Sequence, residues 1–217
     1  MWSLVYKDFY QQRKGLRFLL LWGIGLFAFT ALSDAGLGMI PLFIFIAGTN
    51  FALRFSYHEE KNHGLSFLRS LPLKPNYIVG SKYVAALLMG VLGIVFTVVC
   101  VGVMLLMGFV SLGLSNVQEI LLLILVPLYA LLIFNGLFFP LYFRQGYIRA
   151  QGTVRIFVLV FAVVVAGSLN KLENHSQILA FSGILGPNIW LWVTLAVVGL
   201  YLLSYVLSLR IFMKRDL

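Results

Sequence analysis

Arg54–Tyr83, RFSYHEEKNHGLSFLRSLPLKPNYIVGSKY, is the longest polar interruption in a lipid-like sequence. It holds Arg54, Lys61, Arg69, Lys74 and Lys82 of the chain's 16 basic residues, and Glu59 and Glu60 of its 7 acidic ones. Within it, residues 60–71 form a short amphipathic segment. Leu65, Leu68 and Leu71 are spaced to share one helical face, with Asn62, Ser66, Arg69 and Ser70 elsewhere. Pro72 and Pro75 stop that segment, and a new helix is expected to start near Pro75 and run through Ile78 and Lys82 into a membrane. Residues 56–83 therefore read as a loop with its own apolar stripe, held between two membrane helices.

The rest of the chain supplies the membrane. Of 217 residues, 61% are hydrophobic and 11% charged, and mean hydropathy is +0.99. A soluble domain of this size cannot bury so much apolar surface, so the fold class is an all-α polytopic membrane protein. Six spans are expected, at 16–32, 37–55, 84–110, 119–142, 156–170 and 188–212, in a single transmembrane domain covering 1–217. Residues 1–15 place Trp2, Val5, Tyr6 and Phe9 at helical spacing, which suits an interfacial helix; a basic cytosolic tail also fits. Net charge is +9. Fifteen of the 16 basic residues fall on one side of this layout, Lys171 being the exception. Both termini and the central loop are accordingly expected to be cytoplasmic. Because that charge sits in loops between spans, it does not make a nucleic-acid face. Apart from residues at their edges, the spans hold no Asp, Glu, Lys, Arg or His, which argues against an ion-coupled carrier.

Several chemical motifs fail on spacing. His58-Glu59 is followed by His63, five positions after His58, where a shared zinc needs four, so no metal site is expected. Gly80-Ser81-Lys82 resembles the end of a phosphate-binding loop, but the glycine required five positions earlier is Pro75. No GxSxG and no intramembrane carboxylate pair occurs, so no catalytic residue is assigned. Cys100 is the only cysteine, which excludes a disulfide framework. Gly48 with Ala52 is the nearest small-xxx-small pair, and packing within the subunit explains it as well as a dimerisation face does. Asn50 and Asn135 are uncharged polar residues near mid-span; they fit a substrate pathway or interhelical hydrogen bonds.

Glu59-Glu60-Lys61, Leu65, Leu68-Arg69-Ser70-Leu71-Pro72-Leu73 and Ile78-Val79-Gly80-Ser81-Lys82-Tyr83 together resemble membrane subunits of the type-two class of ABC exporters. Within that class the small size and loop pattern are most similar to permeases that export amphipathic peptides such as phenol-soluble modulins. The resemblance implies a permease in the cell membrane that binds no cofactor itself and exports an amphipathic or hydrophobic substrate. Two ATP-binding subunits, carrying ATP and Mg, would pair with two permeases, either a homodimer or a pair of similar chains. It also implies that the loop couples to the ATPase through Glu59, Glu60, Leu65, Leu68, Arg69, Leu71 and Pro72. The leucines would fill a groove, and Glu59, Glu60 and Arg69 would set orientation as rim charges. The alternatives are an ATP-independent channel or carrier, and a structural or immunity subunit.

Overall fold

The computed structural model describes residues 1–32, 40–62, 64–108, 117–156 and 189–214. Among these residues lie α1 Trp2–Gln11, α2 Arg13–Leu32, α3 Ile40–Lys61, α4 Gly64–Ser70, α5 Pro75–Leu106, α6 Val117–Gln145 and α7 Ile189–Lys214. Residues 147–156 are also helical, and there is no strand among the described residues. Pro75–Met104, Ile124–Gln145 and Leu191–Lys214 are long and apolar enough to cross a membrane, and Gly15–Gly25 is a shorter apolar helix. The first two expected spans fall on α2 and the first part of α3. The fifth, 156–170, lies almost wholly outside the described residues.

Two boundaries differ from the sequence reading, and both shape the loop. The helix expected to end at residue 55 continues as α3 to Lys61. Nothing between Arg54 and Lys61 breaks a helix, since neither Gly nor Pro occurs there. The expected amphipathic segment 60–71 is thereby split, leaving only α4 as a separate helix. As expected, the next helix begins at Pro75, whose fixed φ and missing N–H suit the first turn. Lys82 therefore lies two turns into α5.

The bundle closes on α3, α5, α6 and α7. With water absent, apolar area alone gives little drive between lipid-embedded helices, so close approach depends on small residues. Gly48 on α3 meets Leu131 of α6 so tightly that a Cβ there would stand 1.7 Å from Leu131 Cδ1. Gly48 thus packs within the subunit. Ala47, Ala52, Ala85 and Ala86 are fully buried in the same core. Below this level aromatic rings fill the interior. Phe55 stacks on Phe139 with centroids 6.0 Å apart, Tyr83 lies 4.6 Å from Phe139, and Phe143 meets Phe212 edge-on at 5.5 Å.

A polar seam joins α5, α6 and α7. Pro140 lies inside α6 and has no N–H to offer the carbonyl of Gly136 one turn back. Ser204 of α7 takes its place, its Oγ donating to Gly136 O at 2.5 Å. Tyr83 Oη lies 2.7 Å from the hydroxyls of both Ser204 and Ser208, and Tyr201 donates to Tyr83 O at 3.0 Å. A backbone carbonyl freed in an apolar medium is costly unless a neighbour satisfies it.

Candidate functional site

The densest charge cluster among the described residues is buried at the base of the central loop. Lys82 Nζ sits 3.0 and 2.8 Å from the two carboxylate oxygens of Asp8 and 2.5 Å from Glu59 Oε1. Lys7 Nζ reaches the same Glu59 oxygen at 3.0 Å and Asp8 Oδ1 at 3.5 Å. Tyr142 of α6 donates to Glu59 Oε2 at 3.5 Å. The ammonium of Lys82 also faces the Phe55 ring, 4.8 Å from its centroid. Two acids and two bases leave no net charge. That is the condition for burying them, since an isolated ion in a low dielectric is far too costly.

Sequence geometry explains why the four groups meet. α3 runs past the apolar residues to Lys61, which places Glu59 on its last turn. The returning helix α5 places Lys82 opposite. Asp8 and Val5 share the buried side of α1, so this helix turns its one acid inward. Asp8, Glu59 and Lys82 are 0%, 2% and 1% exposed, whereas the Lys7 side chain is 40% exposed. Burial and the facing Glu59 raise the Asp8 carboxyl above its ordinary value, despite Lys82. Burial also works to raise Glu59, but Lys82 and Lys7 outweigh it and hold Glu59 below the ordinary range. Lys7 is raised: burial would lower it, but the charges of Glu59 and Asp8 prevail.

Glu60 makes a second tie. Its carboxylate accepts the backbone N–H of Tyr147, at the N-terminus of the helical segment 147–156, where negative charge is favoured. Gly146, with φ +85°, makes the turn into that segment, and a Cβ there would lie 3.0 Å from Glu60 Oε2. Consecutive glutamates thus anchor the end of α3 to four other pieces of chain. Glu59 holds α1, α5 and α6, and Glu60 holds the segment after α6.

Beyond this clamp, the loop presents an apolar surface different from the one the spacing suggested. Leu68 is 5% exposed and belongs to the core, because α4 folds back on α3. The outward apolar side chains are Phe67, Leu71, Leu73 and Tyr77, with Pro72 also exposed. Leu65 and Arg69 lie on α4, but their side chains are not among those described. Glu59 is corrected in the same way: pulled inward by two ammonium groups, it is no rim charge. Glu60 stays exposed but is engaged by Tyr147.

The two candidate pathway residues are not brought together. Asn50 donates to Ile46 O of its own helix at 3.0 Å and lines a cleft of 250 Å³ between α2 and α3. Asn135 is fully buried in α6 away from that cleft, and neither polar atom of its side chain has a hydrogen-bond partner among the described residues. Asp8 and Lys82 were missed as site residues. The available signals were a lone acid in a basic N-terminal segment and a lysine inside the run Ile78–Ala86.

The family described as "ABC-2 family transporter protein" matches residues 3–213. No curated protein matches the chain. No solved structure matches it.

Proposed function

Because the chain belongs to the ABC-2 family of transporter proteins, we propose that it is the permease subunit of an ATP-driven exporter in the cell membrane. Membership makes it a membrane transport component and implies association with an ABC ATP-binding subunit. The finer reading is ours. The cargo is an amphipathic or hydrophobic molecule, with amphipathic peptides the favoured class. The ATPase, which holds ATP and Mg, seats against the exposed tip of the loop 56–83, and two permeases pair with two ATPase subunits.

The observation that carries this reading is the contrast between the loop's base and its tip. The base is bolted to α1, α5 and α6 through Lys82, Glu59 and Asp8, while the tip exposes Phe67, Leu71, Leu73 and Tyr77. A loop anchored this way transmits displacement to the helices instead of absorbing it, and its exposed ring and leucines suit helix-in-groove docking. Pro72 and Pro75 limit flexing where the chain turns back into α5.

Inverted membrane vesicles carrying the chain and its co-expressed ATPase test the function. A fluorescent amphipathic peptide is expected to accumulate with ATP and not with a non-hydrolysable analogue. Equal flux without nucleotide would replace this reading with the channel or carrier alternative. Absence of flux with an active ATPase present would favour the structural one.

A further inference from the structure

The cleft between α2 and α3 is not used by the clamp or by the docking face. α2 touches the bundle at two levels. Near its start, Gln12 is buried and donates to Phe51 O at 3.1 Å. Higher up, Trp22 stacks on Phe43 at 6.2 Å, and a Cβ at Gly23 would stand 2.5 Å from the same ring. Between these contacts the helices separate. The 250 Å³ gap is walled by Leu16 and Leu19 on one side and Ile46 on the other. From Gly15 to Trp22 it runs about 10 Å along α2. Side chains around such a gap lose their packing partners unless something fills it.

The cleft is polarised along its length. At the deep end it is aliphatic and aromatic. At the other end Arg54 lies across α2, where Gly15 leaves it room: a Cβ at Gly15 would stand 2.6 Å from Arg54 Nη1. Arg54 is exposed and has no hydrogen-bond or ion-pair partner among the described residues. The carboxylates on that side are already taken, Asp8 and Glu59 by lysines and Glu60 by Tyr147. Arg13, nearby in sequence, is engaged with Tyr10, its Nη1 donating to Oη at 3.1 Å. An unpaired guanidinium at the mouth of an apolar slot matches a ligand with one anionic head and a hydrocarbon chain.

We propose that this cleft holds one anionic phospholipid, its phosphate on Arg54 and one of its two acyl chains between Leu16, Leu19 and Ile46. The lipid fills the gap that the two helices leave and ties α2 to α3. A guanidinium prefers phosphate because its planar donors match two oxygens at once. The slot is smaller than a typical ligand pocket of about 300–1,000 Å³, so it suits a single chain and not a folded peptide. This inference stands apart from the transport reading, because its test measures lipid retention and not flux.

The test is native mass spectrometry of the full chain in detergent with phosphatidylglycerol or phosphatidylcholine of identical chains. One basic group at a membrane surface is expected to favour the anionic lipid about fivefold in wild type. Arg54→Gln is expected to abolish that preference, and Arg54→Lys to retain most of it. Leu19→Trp, which fills the slot, is expected to weaken retention of both lipids. Should Arg54→Gln fail to fold, Gly15→Leu displaces the guanidinium and carries the same expectation. Equal retention of the two lipids by wild type, or unchanged retention across the variants, means an ordinary annular lipid and overturns the proposal. Displacement by soluble glycerol phosphate at matched concentration would also overturn it, because the site would then recognise a free phosphate.

Discussion

Replacing Lys82 with Met keeps a long unbranched stem and removes only the charge. The structure then leaves Asp8 and Glu59, 0% and 2% exposed, facing one another with the half-exposed Lys7 as the one remaining cation beside them among the described residues. Removing one partner from a buried ion pair costs about 3–5 kcal/mol, because the remaining charge is uncompensated. The pH dependence has a definite sign. In wild type the folded pKa of Glu59 lies below its ordinary 4.5, so the unfolded chain binds more protons between the two values. The stability from Glu59 is present above 4.5 and is lost as pH falls through the folded value. Asp8 runs the other way: its folded pKa is above 3.8, so stability declines as pH rises through that window. In Lys82→Met both carboxyls lose their main attraction and behave like Asp8. The variant's deficit is therefore expected to shrink on acidification, being larger at about pH 8 than at about pH 5. Detergent-solubilised protein unfolded by added SDS, followed by circular dichroism, reads this directly. Glu59→Gln/Lys82→Met is expected to recover part of the loss, since one orphaned charge is gone. A loss under about 1 kcal/mol, or the same loss at both pH values, would refute the argument that the four groups form one neutral buried unit.

Four further outcomes are expected. Gly48→Ala drives a methyl into Leu131 and should lower stability by about 1–3 kcal/mol; Leu131→Ala in the same chain should restore part of it, both read as melting-temperature shifts. Tyr83→Phe removes the partner of Ser204 and Ser208 and should cost about 1–2 kcal/mol by SDS unfolding. Phe67→Asp should leave the melting temperature within the range of an ordinary surface change, about 0.5 kcal/mol, while ending co-purification of the ATPase. Leu68→Asp, which buries a carboxylate, should instead destabilise the subunit itself by several-fold more.

The sequence made the helical, membrane-embedded class legible because long apolar runs have no other stable form in lipid. It also marked Pro75 as the first residue of a helix, a position set by local backbone chemistry. The loop's orientation was not legible. A three-residue leucine spacing identifies a shared face but not whether that face turns toward the body or a partner. Here α4 folds back on α3, so Leu68 is covered and Phe67 faces out. Glu59 looked like a surface charge because the helix was ended at residue 55. Six further residues of α3 bring it to Lys82, 23 positions away, and to Asp8, 51 positions away. Contacts at such separation depend on tertiary packing that no local pattern encodes. Asn135 was visible as a polar residue in an apolar span, but not its isolation from Asn50.

The central claim is that the loop tip meets the ATPase while its base is locked to the membrane body. Its most direct test is photo-crosslinking in living cells, with a reactive amino acid at Phe67 and, in separate strains, at Leu68 and at Leu200, which is exposed on α7. Phe67 is expected to capture the ATP-binding subunit, Leu68 to give only crosslinks within the chain, and Leu200 to give none to the ATPase. Capture of the ATPase from Leu200 as strongly as from Phe67, or no capture from Phe67, would contradict it.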